Sequence, residues 1–183
     1  MKNFLLLLFI IGVIFLAGCA GQTQTPSEST KGTTALITKS PSELLPTRND
    51  LSTEWILGDI KDLTINFIGF ESGSQQEVRL GTLPPRNVIT ISIYEFSSVT
   101  TSNDYYTNKT SDDYYLQKGG YKKVDMKINA KCEAYKVDRM VAETGQAYCV
   151  SSNIFFELKV VSESFQAEKY LKDIGKIISQ KIS

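Results

Sequence analysis

The hydrophobic pattern divides the chain into stretches with different periods. From Phe4 to Ala17 the run "FLLLLFIIGVIFLA" is continuously apolar. From Ala20 to about Ser42 the chain turns to Gln, Thr, Ser, Pro and Gly, with little apolar content to offset the entropy of ordering. Beyond that, short period-two segments predict strands. "LTINFIGF" (63–70) alternates through Leu63, Ile65 and Phe67, and "ESGSQ" after it reads as a turn. "QEVRLGT" predicts a second short strand that the prolines at 84 and 85 end. "NVITISIYEF" (87–96) sets Ile89, Ile91 and Ile93 against Thr90, Ser92 and Tyr94, the pattern of a half-buried strand.

The stretch from 99 to 120 breaks this alternation. It carries "DYY" twice and ends in Gly119-Gly120, so it predicts one helix or two short helical pieces, capped near Ser97 or Ser98 and stopped by the glycines. Strand patterns then resume. Val124, Met126 and Ile128 alternate with Lys123, Asp125 and Lys127; "KCEAYKVD" and "QAYCVSS" flank a loop around "RMVAETG". In "IFFELKVVS", Ile154, Phe156, Leu158 and Val160 oppose Glu157 and Lys159. The last segment places Ala167, Tyr170, Leu171, Ile174, Ile177, Ile178 and Ile182 at helical spacing, with lysines largely on the other face. Consecutive strands with short turns predict an α+β fold: an antiparallel β-sheet with a helical insertion and a C-terminal amphipathic helix packed on it. The arrangement resembles the PsbP/Mog1-type sandwich, an antiparallel sheet flanked by helices.

Composition narrows the function classes. Lysine plus arginine and aspartate plus glutamate number 20 each, so no general electrostatic attraction to nucleic acid is expected. The chain has no histidine, which removes Ser-His-Asp, Cys-His and His-rich zinc chemistry. Catalysis by carboxylates, by lysine or by a bound ligand stays open, but no residue pattern asks for a cofactor or a metal.

The apolar run near the N-terminus has the length of a signal-peptide core and is shorter than the roughly 20 residues that cross a bilayer. It ends in Leu16-Ala17-Gly18-Cys19, a branched apolar residue and two small ones before a cysteine. That order resembles the lipobox of prokaryotic lipoproteins. The resemblance implies cleavage before Cys19, a diacylglycerol on its thiol, and a membrane partner through that lipid, since two acyl chains anchor a protein stably. An uncleaved signal anchor is the plain alternative. The resulting organisation is a signal peptide over 1–18, a Ser/Thr/Gln-rich tether over 19–42 and one extracytoplasmic domain over 43–183.

Of three cysteines, Cys132 and Cys149 remain. If their strands pair about Met140–Val141, the two fall opposite one another on one face, in register for a cross-strand disulfide; two buried free thiols are the alternative. "LPTRNDLSTEW" (45–55) predicts an arm that packs Trp55 against the core, and it resembles a stretch of form LPTRxDLPTEW near the start of uncharacterised exported archaeal proteins.

The doubled "DYY" offers a candidate binding surface of Tyr105, Tyr106, Tyr114 and Tyr115, because tyrosine gives large contact area at low entropy cost. The competing reading packs these rings on the sheet. Asp104, Asp112 and Asp113 do not match a calcium loop. Asn108 in "NKT" is a candidate N-glycan acceptor, and Asp59 with Asp62 form a carboxylate pair with nothing beside them that marks a catalytic role. The reading these features support is a membrane-anchored lipoprotein that acts as a binding or accessory module for a protein or small-molecule partner. A carboxylate-dependent or ligand-assisted surface enzyme and an assembly factor for a membrane complex are the alternatives.

Overall fold

Isoleucines 89, 91 and 93 alternate with Thr90, Ser92 and Tyr94, and this alternation sets the two faces of the sheet that forms the middle of the protein. The computed structural model describes residues 35–183 apart from 82, 83 and 85; the apolar segment, Cys19 and the start of the tether lie outside the described residues.

Eight strands form one antiparallel sheet: β1 (Trp55–Leu57), β2 (Lys61–Asp62), β3 (Phe70–Leu80), β4 (Asn87–Phe96), β5 (Lys122–Lys123), β6 (Lys131–Asp138), β7 (Glu143–Ser151) and β8 (Ile154–Ser162). Their order across the sheet is β1-β3-β4-β8-β7-β6-β5, and β2 pairs with β3 beside β1. Four helices accompany the strands among the described residues: α1 (Pro41–Leu44), α2 (Val99–Asp112), α3 (Tyr114–Lys118) and α4 (Ala167–Ile182). The α+β class and the antiparallel sheet follow the sequence pattern, as do the helical insertion and the closing helix.

The two faces differ chemically. One carries Ile89, Ile91, Ile93, Phe156, Leu158 and Val160, and α4 covers it with Leu171, Ile174 and Ile178. Each such fully buried side chain contributes roughly 1.5–3 kcal/mol relative to exposure. Gly145 lets α4 approach closely: a Cβ there would lie 2.9 Å from the Leu171 Cδ1 and 3.2 Å from the Ala167 Cβ. The buried Glu143 carboxylate accepts from the Ala167 amide at 2.6 Å and pairs with Lys136 at 2.8 Å, so the start of α4 is also fixed electrostatically. The opposite face is aromatic. Tyr94, Phe96, Tyr135, Tyr148 and Phe155 of the sheet cluster there with Tyr105 and Tyr106 of the covering α2, and Leu63, Ile65 and Phe67 lie at the margin.

Several local predictions need correction. The segment 63–69 is not a strand; its alternating apolar side chains pack on the aromatic layer, and ladder-like bonds remain at its two ends, from the Leu63 amide to the Gly73 carbonyl at 2.9 Å and from the Ser97 amide to the Gly69 carbonyl at 2.8 Å. "ESGSQ" is no turn but the first half of the eleven-residue β3. The strand expected around Val124–Ile128 shrinks to β5, although Val124 and Met126 are buried as the alternation required. Ahead of Glu43, the Ile37 amide donates to Asn153 Oδ1 at 2.7 Å, and the Asn153 amide nitrogen donates to the Ile37 carbonyl at 3.2 Å.

The "LPTRNDLSTEW" arm ties itself down. Thr47 donates twice to the Asp50 carboxylate, through its amide and its hydroxyl, both at 2.7 Å. Arg48 holds the carbonyls of Thr53 and Trp55. Lys181 of α4 reaches the Leu45 carbonyl at 2.7 Å and Asp50 at 2.8 Å. Trp55 meets Tyr170 edge to face at 5.4 Å. Its polar residues thus serve the arm's own geometry, and its tryptophan serves the core.

Candidate functional site

The helical cover on the aromatic face stops halfway. β4, β8 and β7 place Thr90, Lys159 and Gln146 side by side, with Glu77 of β3 next to Thr90. One row further on, Ile56, Arg79, Val88, Val161 and Thr144 follow in the same order. None of these side chains is buried, and Ile56 and Val161 are large apolar residues open to solvent. Two adjoining hollows, about 370 and 490 Å³, lie over this half-face and share Ile56, Glu77 and Arg79 in their lining. Charges of both signs rim them: Asp59 and Lys61 on one side, the Glu77–Arg79 pair between, Arg86 on the other.

A hydrogen-bond network marks the border between the covered and open halves. Asp113 sits at the break between α2 and α3, where its Oδ1 accepts from the amides of Tyr115 at 2.9 Å and Leu116 at 3.1 Å. Its Oδ2 accepts the hydroxyls of Tyr135 and Tyr148, each at 2.7 Å. Gln146 continues the chain by donating to the Tyr148 hydroxyl at 2.8 Å and to Glu157 Oε1 at 2.5 Å, and Lys159 pairs with Glu157 at 3.1 Å. Glu157 is only 5% exposed, yet it lies on the face that the sequence pattern assigns to solvent.

This network shifts the groups within it. Burial opposes ionisation of Asp113, but the hydroxyls of Tyr148 and Tyr135 and the amides of Leu116 and Tyr115 outweigh it and hold the carboxyl below the usual range. Burial first, and then the Asp113 carboxylate, push Tyr135 and Tyr148 far up. Burial and the Glu157 charge raise Tyr94 and Tyr105 to about 12. These tyrosines therefore stay neutral hydrogen-bond donors across any physiological pH.

The residues singled out in the sequence meet different fates. Cys132 and Cys149 face one another across β6 and β7 and are bonded as a disulfide. Of the four candidate surface tyrosines, Tyr105 and Tyr106 are 6% and 4% exposed and build the aromatic layer, which corrects their placement on a binding surface. Tyr115 is half-buried against Tyr135, and Tyr114 is 68% exposed. Tyrosine is amphipathic, so a helix can bury one face through its rings while reading as polar. Asn108 lies exposed on α2, Asp59 and Asp62 are exposed near β2, and Asp104 and Asp112 face solvent apart from Asp113. Gln146, Glu157 and the role of Asp113 were not singled out. Their signal is faint: a carboxylate and an amide on the outward positions of two adjacent strands look like ordinary solvated residues.

Comparison with known proteins gives one point of reference. No family model matches the chain, and no curated protein matches it. The crystal structure of the extracellular domain of PknH from Mycobacterium tuberculosis is similar, with a TM-score of 0.55 and 10% sequence identity. The match covers 76% of this chain and 93% of that one. At that identity the likeness establishes a shared fold.

Proposed function

We propose that the chain is an exported lipoprotein, anchored through a diacylglycerol on Cys19, whose α+β domain is a non-enzymatic binding or accessory module outside the cell membrane. The observation that carries the binding reading is the half-covered sheet face. A sheet of this size normally buries both faces or solvates one evenly. Here helices close half of a face, and a hydrogen-bonded border leaves the rest open with apolar Ile56, Val88 and Val161 beside Thr90, Gln75 and Gln146. Such a mixture of apolar contact and oriented polar groups on rigid strands suits a ligand or partner. The Cys132–Cys149 bond suits an oxidising compartment. The likeness to the extracellular domain of PknH is in keeping with a domain displayed outside the membrane.

Nothing in the border network favours the enzyme reading. Asp113 spends its four acceptor positions on Tyr135, Tyr148 and two helix amides, and Glu157 is held by Gln146 and Lys159, so each carboxylate of the network is engaged in tying strands and helix together. The test is site-specific photocrosslinking in the native membrane, with the photoreactive residue at Thr90 on the open face or at Lys176 on the outer surface of α4. Discrete adducts from position 90 and none from 176 are expected. Equal labelling from both positions would remove the open face as the binding surface.

A further inference from the structure

The β6–β7 hairpin turns through Met140 and Val141, closed by the Arg139 amide on the Ala142 carbonyl at 3.0 Å. Met140 is 100% exposed and Val141 80%. Among the described residues they are the only adjacent pair of large apolar side chains exposed to solvent. Folding does not account for them, because neither joins a core cluster. Turn chemistry does not either: two-residue hairpin turns favour Asn, Asp and Gly.

Their surroundings point to one kind of partner. Arg139 donates to the Tyr115 hydroxyl at 3.0 Å, which brings α3 alongside the hairpin. Tyr114, stacked edge to face on Tyr115 at 5.5 Å, is exposed beside it, and Lys118 follows one turn later. Neither Arg139 nor Lys118 has a carboxylate partner among the described residues. The next loop at the same end of the sheet carries Phe165, a half-exposed ring held in left-handed backbone at φ 57°. A protruding apolar tip, exposed aromatics and unpaired cations are the combination that enters a bilayer interface, with apolar groups at the acyl boundary and cations at anionic headgroups.

We propose that this hairpin tip is a membrane-contact site, in which Met140 and Val141 insert into an anionic lipid surface while Arg139 and Lys118 meet its phosphates. The proposal rests on the lipid-anchor reading, which supplies the bilayer. Ala35, the first described residue, lies at the opposite end of the sheet, where Ser152 of the β7–β8 turn donates to its carbonyl at 2.8 Å. β7 has nine residues and is therefore about 30 Å long. Residues 20–34 can span at most about 50 Å. A lipid on Cys19 thus leaves the tip within reach of the same membrane, and tethering makes even a weak contact effective.

The test uses the full chain as purified from the membranes of the cells that make it, with an environment-sensitive NBD label at Met140→Cys or, as control, at Lys176→Cys. Each is reconstituted into phosphatidylcholine vesicles with and without phosphatidylglycerol. The expected result is co-flotation of both proteins, with quenching by shallow nitroxide lipids several-fold stronger at 140 than at 176, and only with the anionic lipid. Adding Arg139→Glu should remove most of that difference. Co-floating protein with equal, solvent-like labels at 140 and 176 would overturn the membrane contact and leave the anchor standing. Failure to co-float would overturn the anchor itself. Shielding of 140 only after envelope proteins are added would assign the tip to a protein partner and overturn the lipid proposal.

Discussion

Asp113 accepts four hydrogen bonds, two from tyrosine hydroxyls on the sheet and two from amides that open α3. One carboxylate therefore caps a helix and pins it to β6 and β7. Hydrogen bonds to a charged group are worth about 1.5–3 kcal/mol. The Asp113→Asn variant keeps one acceptor oxygen, so one pair of donors loses its partner, and a cost of about 2 kcal/mol at neutral pH is expected. The folded-state pKa lies below the ordinary value, so the charged form is the one that folding favours. That contribution is complete above about pH 4 and disappears as pH falls through the folded pKa. Denaturant titrations at pH 7 and pH 3 should show the gap between parent and variant narrowing in acid. A gap of constant size would mean that the charge on Asp113 contributes nothing. At this same scale the sequence was hardest to read. "SDDYY" shows which residues can cap and which can donate, but only the fold brings Tyr135 and Tyr148, from the strands, onto the second of its two aspartates.

Elements with a full covering on one face were legible; those at the edge of the cover were not. α4 follows its apolar stripe because that whole face meets the sheet, and β4 and β8 keep clean alternation because Ile89–Ile93 and Phe156–Val160 lie beneath it. The first half of β3 hides because Ser74 is polar yet buried and Gly73 sits under Leu63, so "ESGSQ" reads as a turn while "QEVRLGT" after it reads as a strand. The β6–β7 pair was readable for a different reason: a two-residue turn at Met140–Val141 fixes the register, and that register places Cys132 opposite Cys149. Closing a loop of 17 residues of separation stabilises the fold by roughly 3 kcal/mol in the chain-entropy model. Replacing both cysteines by alanine should lower stability by about that amount and leave the far-ultraviolet dichroism of the sheet unchanged. Urea midpoints of the variant and parent measure it, and coincident midpoints would show that the hairpin holds its register without the bond.

At the scale of the whole molecule, the aliphatic face is closed and the aromatic face is half open, and the segment 35–45 is tied to Ser152, Asn153 and α4. Among the described residues no helix is long and apolar enough to cross a membrane. In the proposed lipoprotein, attachment rests on the segment before residue 35, and within it on a single thiol. If Cys19 carries the diacylglycerol, two acyl chains hold the protein, whereas the apolar run alone is shorter than a bilayer requires. Cells fed a radiolabelled fatty acid should label the parent chain and not Cys19→Ala. The variant should retain its apolar segment, run larger on gels, and shift from the detergent phase toward the aqueous phase after detergent-phase separation. Label on the variant equal to the parent would place the lipid elsewhere. Membrane retention of an unlabelled, uncleaved parent would instead make residues 4–17 a signal anchor. Either result would change how far the open face and the Met140–Val141 tip can travel from the bilayer, because the attachment point sets the length of chain between lipid and domain.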